Sequence, residues 1–190
     1  MMLQDRIMIK RYQLLILLPL LFGACSQNPA PPPATAVIPS PSTLSQTDAA
    51  FATAAAQSSL FATEISKIAV QKAGRQGIRN FAQQIVDTQI ASTTRLAAIT
   101  QTKGLTLSPA LTSQQAAAIG VLGNTPDGSR FRRLYFSNLI KSHLTAARET
   151  EAFATTGTDP ELKRYATDQT LLLRKQIAAA RSLPTAVSPK

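Results

Sequence analysis

Residues 127–157 read DGSRFRRLYFSNLIKSHLTAARETEAFATTG, a long stretch with apolar residues at helical spacing, opened by a capping carboxylate at Asp127 and closed by Gly157. Leu139 and Ile140 lie one turn before His143, and Ala146 and Ala147 one turn after it. Tyr135 and Phe153 extend the same face. His143 is the only histidine in the chain. The pattern therefore places a titratable imidazole where a core residue is expected, on a helix long enough to run the length of a domain.

Three further stretches show the same period. The first runs from a cap at Thr47 or Asp48 to about Gly74, with a stripe of Phe51, Ala55, Phe61, Ala62, Ile65, Ile68 and Ala69. Glu64 sits on or beside that stripe, and Lys67 and Lys72 point away. The second runs from about Ile78 to Lys103 with Phe81, Ala82, Ile85, Leu96 and Ile99 inward, Gln89 on the same face and Gly104 as the stop. The last opens at Thr158-Asp159-Pro160, where proline suits the first helical position. It continues to Leu183 with Leu162, Tyr165, Ala166, Leu172, Leu173, Ala179 and Ala180 inward and Gln176 among them. Short turns at residues 74–77 and 157–159 make two antiparallel pairs. The segment Leu105–Pro126, punctuated by Pro109, Gly120, Gly123 and Pro126, carries a short helix at Gln114–Ile119 inside a long crossover. The expected fold is all-α, a ferritin-like four-helix bundle occupying residues 47–183 with the crossover between the second and third long helices.

Composition agrees. In a chain of 190 residues, few aromatics, no Trp and abundant Ala and Leu favour helices packed through small side chains over a β-sandwich. The formal charge of +10 is spread along the helices. Such a field attracts anionic lipids, phosphorylated glycans or nucleic acid, or simply solvates the surface. The sole cysteine, Cys25, excludes an intrachain disulfide and a cysteine-rich zinc site.

The N-terminal residues have another use. Lys10 and Arg11 precede an apolar run from Leu14 to Phe22, too short to span a bilayer, which closes on Gly23, Ala24 and Cys25. This is the order of a secretory signal over residues 1–24, and Met8 offers a second possible start. Leu21-Phe22-Gly23-Ala24-Cys25 resembles the lipobox of bacterial lipoproteins, which implies a diacylglycerol on Cys25. Phe22 stands where that pattern usually has leucine, and a simple secretory signal is the other reading. With Ser26 next, the resemblance implies sorting to the outer membrane of a Gram-negative cell. Residues 25–46 are rich in Pro, Ser, Thr and Ala and form a tether rising about 3.1 Å per residue where polyproline-like. Residues 184–190 form a frayed tail.

In that bundle the four polar positions Glu64, Gln89, His143 and Gln176, one per helix, fall within a slab about 6 Å thick. Either they satisfy one another as a hydrogen-bonded layer, or they form a metal or small-ligand site. A ferritin-like di-iron centre needs a Glu from each of two helices and a Glu-x-x-His pair from each of the other two. Here Ile140 stands three residues before His143, and Val86 and Leu173 precede Gln89 and Gln176. Two neutral amides offset little of the desolvation of a transition-metal ion. No nucleophile, phosphate loop or paired carboxylate stands at a catalytic spacing.

Further matches carry a family likeness over residues 48–183. They are Asp48-Ala49-Ala50-Phe51, Glu64-Ile65 leading to Ala69-Val70-Gln71-Lys72-Ala73, Ile78-Arg79-Asn80-Phe81-Ala82-Gln83-Gln84, Lys103-Gly104-Leu105, Phe131 through Tyr135 to His143, and Asp159-Pro160-Glu161-Leu162-Lys163 before Tyr165-Ala166. In these the chain resembles the domain of unknown function 4142 family, ferritin-like bacterial envelope proteins of unassigned activity. Members usually place a Glu on the first helix, an Asp-His pair on the second and a His on each of the third and fourth, a set able to bind metal. This chain keeps Glu64 and His143, but has Thr88-Gln89 for the pair and Gln176, or Lys175 one residue off, for the last His. The resemblance thus implies the fold and an envelope location, and no reaction.

The resulting expectation is a lipid-anchored, non-enzymatic envelope protein facing the periplasm, or a soluble periplasmic one if Cys25 is unmodified. Its partners would be the membrane through the lipid, and an envelope protein or an anionic envelope polymer met by Arg130, Arg132, Arg133, Lys163 and Arg164. Export takes it away from nucleic acid. The rival is a metal-binding or redox protein using Glu64 and His143.

Overall fold

The computed structural model describes residues 43–183. The expected signal, the lipid-anchor residue Cys25, the tether as far as residue 42 and the tail at 184–190 lie outside the described residues. Five helices follow in order: α1 (Gln46–Lys72), α2 (Gln76–Gln101), α3 (Ser113–Asn124), α4 (Ser129–Thr156) and α5 (Pro160–Ser182), with no strand among the described residues. The four long helices are those the periodicity places, and α3 is the crossover helix, running further than expected through Gly120 to Asn124.

Local chemistry explains most of the boundaries. Ser45 opens α1: its Oγ accepts the Asp48 N–H at 3.1 Å while its hydroxyl donates to the Asp48 carboxylate at 2.7 Å. The cap is thus two residues earlier than Thr47. Thr112 and Gln115 form a reciprocal capping box at α3. Asp159 caps α5, accepting from Glu161 N–H at 3.0 Å and Leu162 N–H at 2.9 Å ahead of the proline. Gly104, at φ 77°, turns the chain out of α2. Asp127 does not cap α4. The N-cap is Gly128, with no side-chain bond, and the Asp127 carboxylate lies against Gly74 in the α1–α2 turn, where a Cβ would come within 2.5 Å of it.

Helix α1 packs on α2 and α4, and α5 packs on α4 and α2, while α3 lies over α1 and α4. The interior has two apolar ends. Phe61, Ile65, Phe81, Ile85, Leu122, Phe131, Tyr135 and Leu139 fill one. Ala52, Ala56, Leu96, Phe153, Leu162 and Tyr165 fill the other, where Phe51 stacks on Phe153 with ring centroids 3.7 Å apart. Among the described residues, both clusters and their flanking apolar residues fall between Leu44 and Leu183. On α5 the inward face includes Gln169, Thr170 and Ile177; Ala179, expected inside, is exposed and Leu172 is half-buried. No helix among the described residues is long and apolar enough to cross a membrane.

Candidate functional site

Between the two apolar ends the interior turns polar. Gln89, His143 and Gln176 are all buried there, as their positions on the apolar faces imply. Gln89 Nε2 donates to Gln176 Oε1 at 3.1 Å, and Gln176 Nε2 donates to Thr88 Oγ1 at 2.7 Å, which joins α2 to α5. Thr170 on α5 donates to Thr150 on α4 at 2.7 Å, and Ser92 on α2 donates to Gln169 Oε1 at 2.5 Å beside the Tyr165 hydroxyl. The Ser66 and Tyr135 hydroxyls pair at 3.1 Å between α1 and α4. Ser66, Gln89, Thr150, Gln169, Thr170 and Gln176 are thus each satisfied by a neutral partner on a neighbouring helix, and Thr63, Thr100 and Thr125 by carbonyls of their own helix.

His143 is the exception. Its ring is 1 % exposed, and neither ring nitrogen has a hydrogen-bond partner. Beside it is a cavity of about 10 Å³ lined by Ser59, Gln89, Thr150, Gln169 and Leu173 among others, roughly the space of a single water. Burial drives the imidazole pKa down from 6.5 to about 4, and the nearby Gln176 amide offsets only part of this. At neutral pH the ring is uncharged, which suits surroundings that hold no carboxylate.

Glu64 is not brought to this layer. Its side chain is 35 % exposed and pairs with Lys67 at 2.7 Å on the outer surface. At 100° per residue it lies across the helix from Ala62, Ser66 and Ala69, which face inward. The α1 residues that line the cavity beside His143 are Ala55, Ser58 and Ser59, of which Ser59, five positions before Glu64, is buried. Ser59, Ser92, Thr150 and Gln169 do not stand out in the sequence, because Ser and Thr fit either face of a helix. The signal is present in the run Ala52, Ala56, Ser59, Ala62, Ser66 and Ala69, whose three- and four-residue spacing marks the face that is buried.

Among the described residues no group of three or more His, Cys, Asp or Glu is placed to hold a metal ion. The three methionines, Met1, Met2 and Met8, and Cys25 precede the described residues, so among the described residues the surroundings of His143 lack soft sulfur donors as well as acids. One imidazole with neutral oxygens around it does not fit iron or copper. The five cations expected to share one surface are also divided. Arg132 is buried, Arg130 and Arg133 lie at the start of α4, and Lys163 and Arg164 lie near the start of α5 at the opposite end.

A family model described as "Domain of unknown function (DUF4142)" matches residues 33–183. No curated protein matches the chain. Among solved structures, a DUF305 fragment from Deinococcus radiodurans superposes with a TM-score of 0.66 at 16% identity, covering 73% of this chain and 95% of that one. CopM in the Cu(I)-bound form superposes with a TM-score of 0.59 at 18% identity, covering 72% and 94%. At such identities the likeness is one of fold alone.

Proposed function

The chain belongs to the DUF4142 family, and from that premise we propose that it is a lipid-anchored envelope protein whose helical domain faces the periplasm and acts as a binding or structural component. The finer topology belongs to this reading too: two antiparallel pairs, α1/α2 and α4/α5, joined by a long crossover in the ferritin-like manner. The observation that carries a non-catalytic role is the pairing of Gln89, Gln176, Thr88, Thr150, Thr170, Ser92 and Gln169 across helices, which commits the interior to holding register. What remains for recognition is the outer surface. The anchor rests on Leu21-Phe22-Gly23-Ala24-Cys25 after the apolar run.

Labelling of growing cells with a palmitate analogue tests the anchor. Label on the wild-type chain that disappears in Cys25→Ser is expected, and label unchanged by that substitution would refute it. The rival metal reading has one observation in its favour, the two unpartnered nitrogens of His143. It lacks a second ligand, since Glu64 faces outward onto Lys67. Metal content of the purified domain decides between them: stoichiometric iron, copper or zinc that is lost in His143→Ala would replace the structural reading.

A further inference from the structure

The two ends of the helical domain carry unlike charge. At one end, Lys72 closes α1, Arg75 and Arg79 open α2, Arg130 and Arg133 open α4, and Arg181 closes α5. That these termini share an end follows from their packing: the Asp127 carboxylate lies on Gly74, Lys72 Nζ donates to the Gly123 carbonyl, and Ala73, Ile78, Phe131 and Ala180 belong to one core cluster. Asp127 is the one acid in these turns. Lys72 and Arg79 spend their donors on neutral carbonyl oxygens, Gly123 for the first and Ala73 and Gln76 for the second, so their charge is not cancelled. The opposite end is balanced in number, with Lys103, Lys163 and Arg164 set among Asp48, Asp159 and Glu161: Lys103 bridges Asp159 and Glu161 at 3.0 and 2.7 Å, and Lys163 donates to the Thr155 carbonyl at 3.3 Å.

We infer that the arginine-rich end is a docking surface for a bilayer containing anionic phospholipid. The chemistry is that of phosphate. Arginine predominates among these cations, and its planar fork matches phosphate oxygens two at a time. The end is also amphipathic, because Val121, 50 % exposed, and the exposed Pro126 flank Arg130 and can enter the headgroup boundary. A nucleic acid fits less well. None of the Phe or Tyr rings of the described residues is exposed, which leaves no platform for base stacking. Juxtamembrane cations contribute additively near a negative leaflet, and unequal ends orient the domain with its helices toward the surface. This inference stands on α1 to α5 and not on the anchor, so the two can fail separately.

The test uses residues 26–190, which lack Cys25 but keep both apolar clusters of the described residues, with vesicles of phosphatidylcholine made with or without phosphatidylglycerol. Sedimentation with the phosphatidylglycerol vesicles only, reversed by salt, is expected. Changing the exposed Arg130, Arg133 and Arg181 to Ala together lowers partitioning by about a hundredfold, at about fivefold per charge. Changing the exposed Arg148, Arg164 and Lys175 to Ala removes the same charge elsewhere and leaves most of the binding. Far-ultraviolet circular dichroism checks that both variants stay folded. Equal loss in the two variants, or equal binding to both vesicles, overturns the inference. Tighter binding to duplex DNA than to phosphatidylglycerol vesicles at the same salt overturns it in favour of nucleic acid.

Discussion

The carboxylate of Asp48, in the first turn of α1, accepts the backbone N–H of Thr158 at 3.0 Å, across 110 positions of sequence. The Thr158 and Ser45 hydroxyls also donate to it. One buried acid thus fastens the entry of α1 to the α4–α5 turn. Burial alone would raise its pKa, but the hydrogen bonds from Thr158 and Ser45 outweigh burial and hold it below the ordinary 3.8. Asp48→Ala removes the charged acceptor that the Thr158 N–H and the Thr158 and Ser45 hydroxyls share, and is expected to cost about 2 kcal/mol, read from urea unfolding at pH 7. Because the folded pKa lies below the unfolded one, the contribution is present above pH 3.8 and is lost as pH falls through the folded value. The variant should accordingly lose less stability than wild type on going to the most acidic conditions.

His143 gives a second acid limb at higher pH. The unfolded ring titrates near 6.5 and the folded one near 4, so between those values the unfolded chain binds more protons. Stability is complete above pH 6.5 and declines by roughly 1.4 kcal/mol per unit toward pH 4, about 3 kcal/mol in all. His143→Leu keeps the approximate volume and removes both unpartnered nitrogens. It should match or exceed wild-type stability at pH 7 and unfold markedly later at pH 5, checked by thermal melts at the two pH values. Copper or zinc should leave the Tm of both forms unchanged; a rise confined to wild type would revive the metal reading.

The punctuation of the sequence carried the fold. Gly104 and Asp159-Pro160 stop and start helices through backbone chemistry that needs no partner, and the apolar repeats between the punctuating residues mark four long helices. What did not survive was azimuth. A residue moves 100° around a helix for each step along it, so a stripe traced through Phe61, Ile65 and Ile68 carries Glu64 inward. Phe61 and Ile65 are buried, but the buried face is centred on Ala56, Ser59, Ala62 and Ser66, which leaves Glu64 outside it. Small polar residues are silent in a hydrophobicity pattern, so Gln89, His143 and Gln176 stand out on their apolar faces while Ser59 does not. Asp127 misled differently: a carboxylate before a helix suggests a cap, but its contact is with the α1–α2 turn, which no local pattern encodes.

Gly157 separates space from conformation. Its φ of −60° is open to any residue, so the glycine is not there for a left-handed turn. A Cβ would meet three atoms of the Phe153 ring at 2.5, 2.7 and 2.9 Å, and that ring is held by its stack on Phe51. Gly157→Ala should destabilise by about 1 to 3 kcal/mol through displacement of Phe153. Gly77, inside α2, is the control, since a Cβ there would have nothing within 4 Å of it. Gly77→Ala should stabilise by about 0.5 to 1 kcal/mol through the unfolded state. Urea midpoints moving in opposite directions would bear this out, and a neutral Gly157→Ala would show that the ring gives way.

The Gln89–Gln176 pair distinguishes a polar layer that holds register from one that merely fills space. Gln176 accepts from Gln89 at 3.1 Å and donates to Thr88 at 2.7 Å, so each amide depends on the other helix for its partner. Gln89→Leu strands the Gln176 oxygen and should cost about 1 to 3 kcal/mol, and Gln176→Leu a similar amount. The double variant replaces both partners with apolar side chains and should cost clearly less than the sum, a coupling of about 1 kcal/mol or more in a double-mutant cycle. If the layer sets the alignment of α2 against α5, the double variant will also lose near-ultraviolet dichroism from Tyr165 and Tyr135 while its melting temperature is largely kept. A double variant with wild-type dichroism and a sharp transition would mean that apolar packing alone fixes the register, and that these amides stabilise the helices without specifying how they meet.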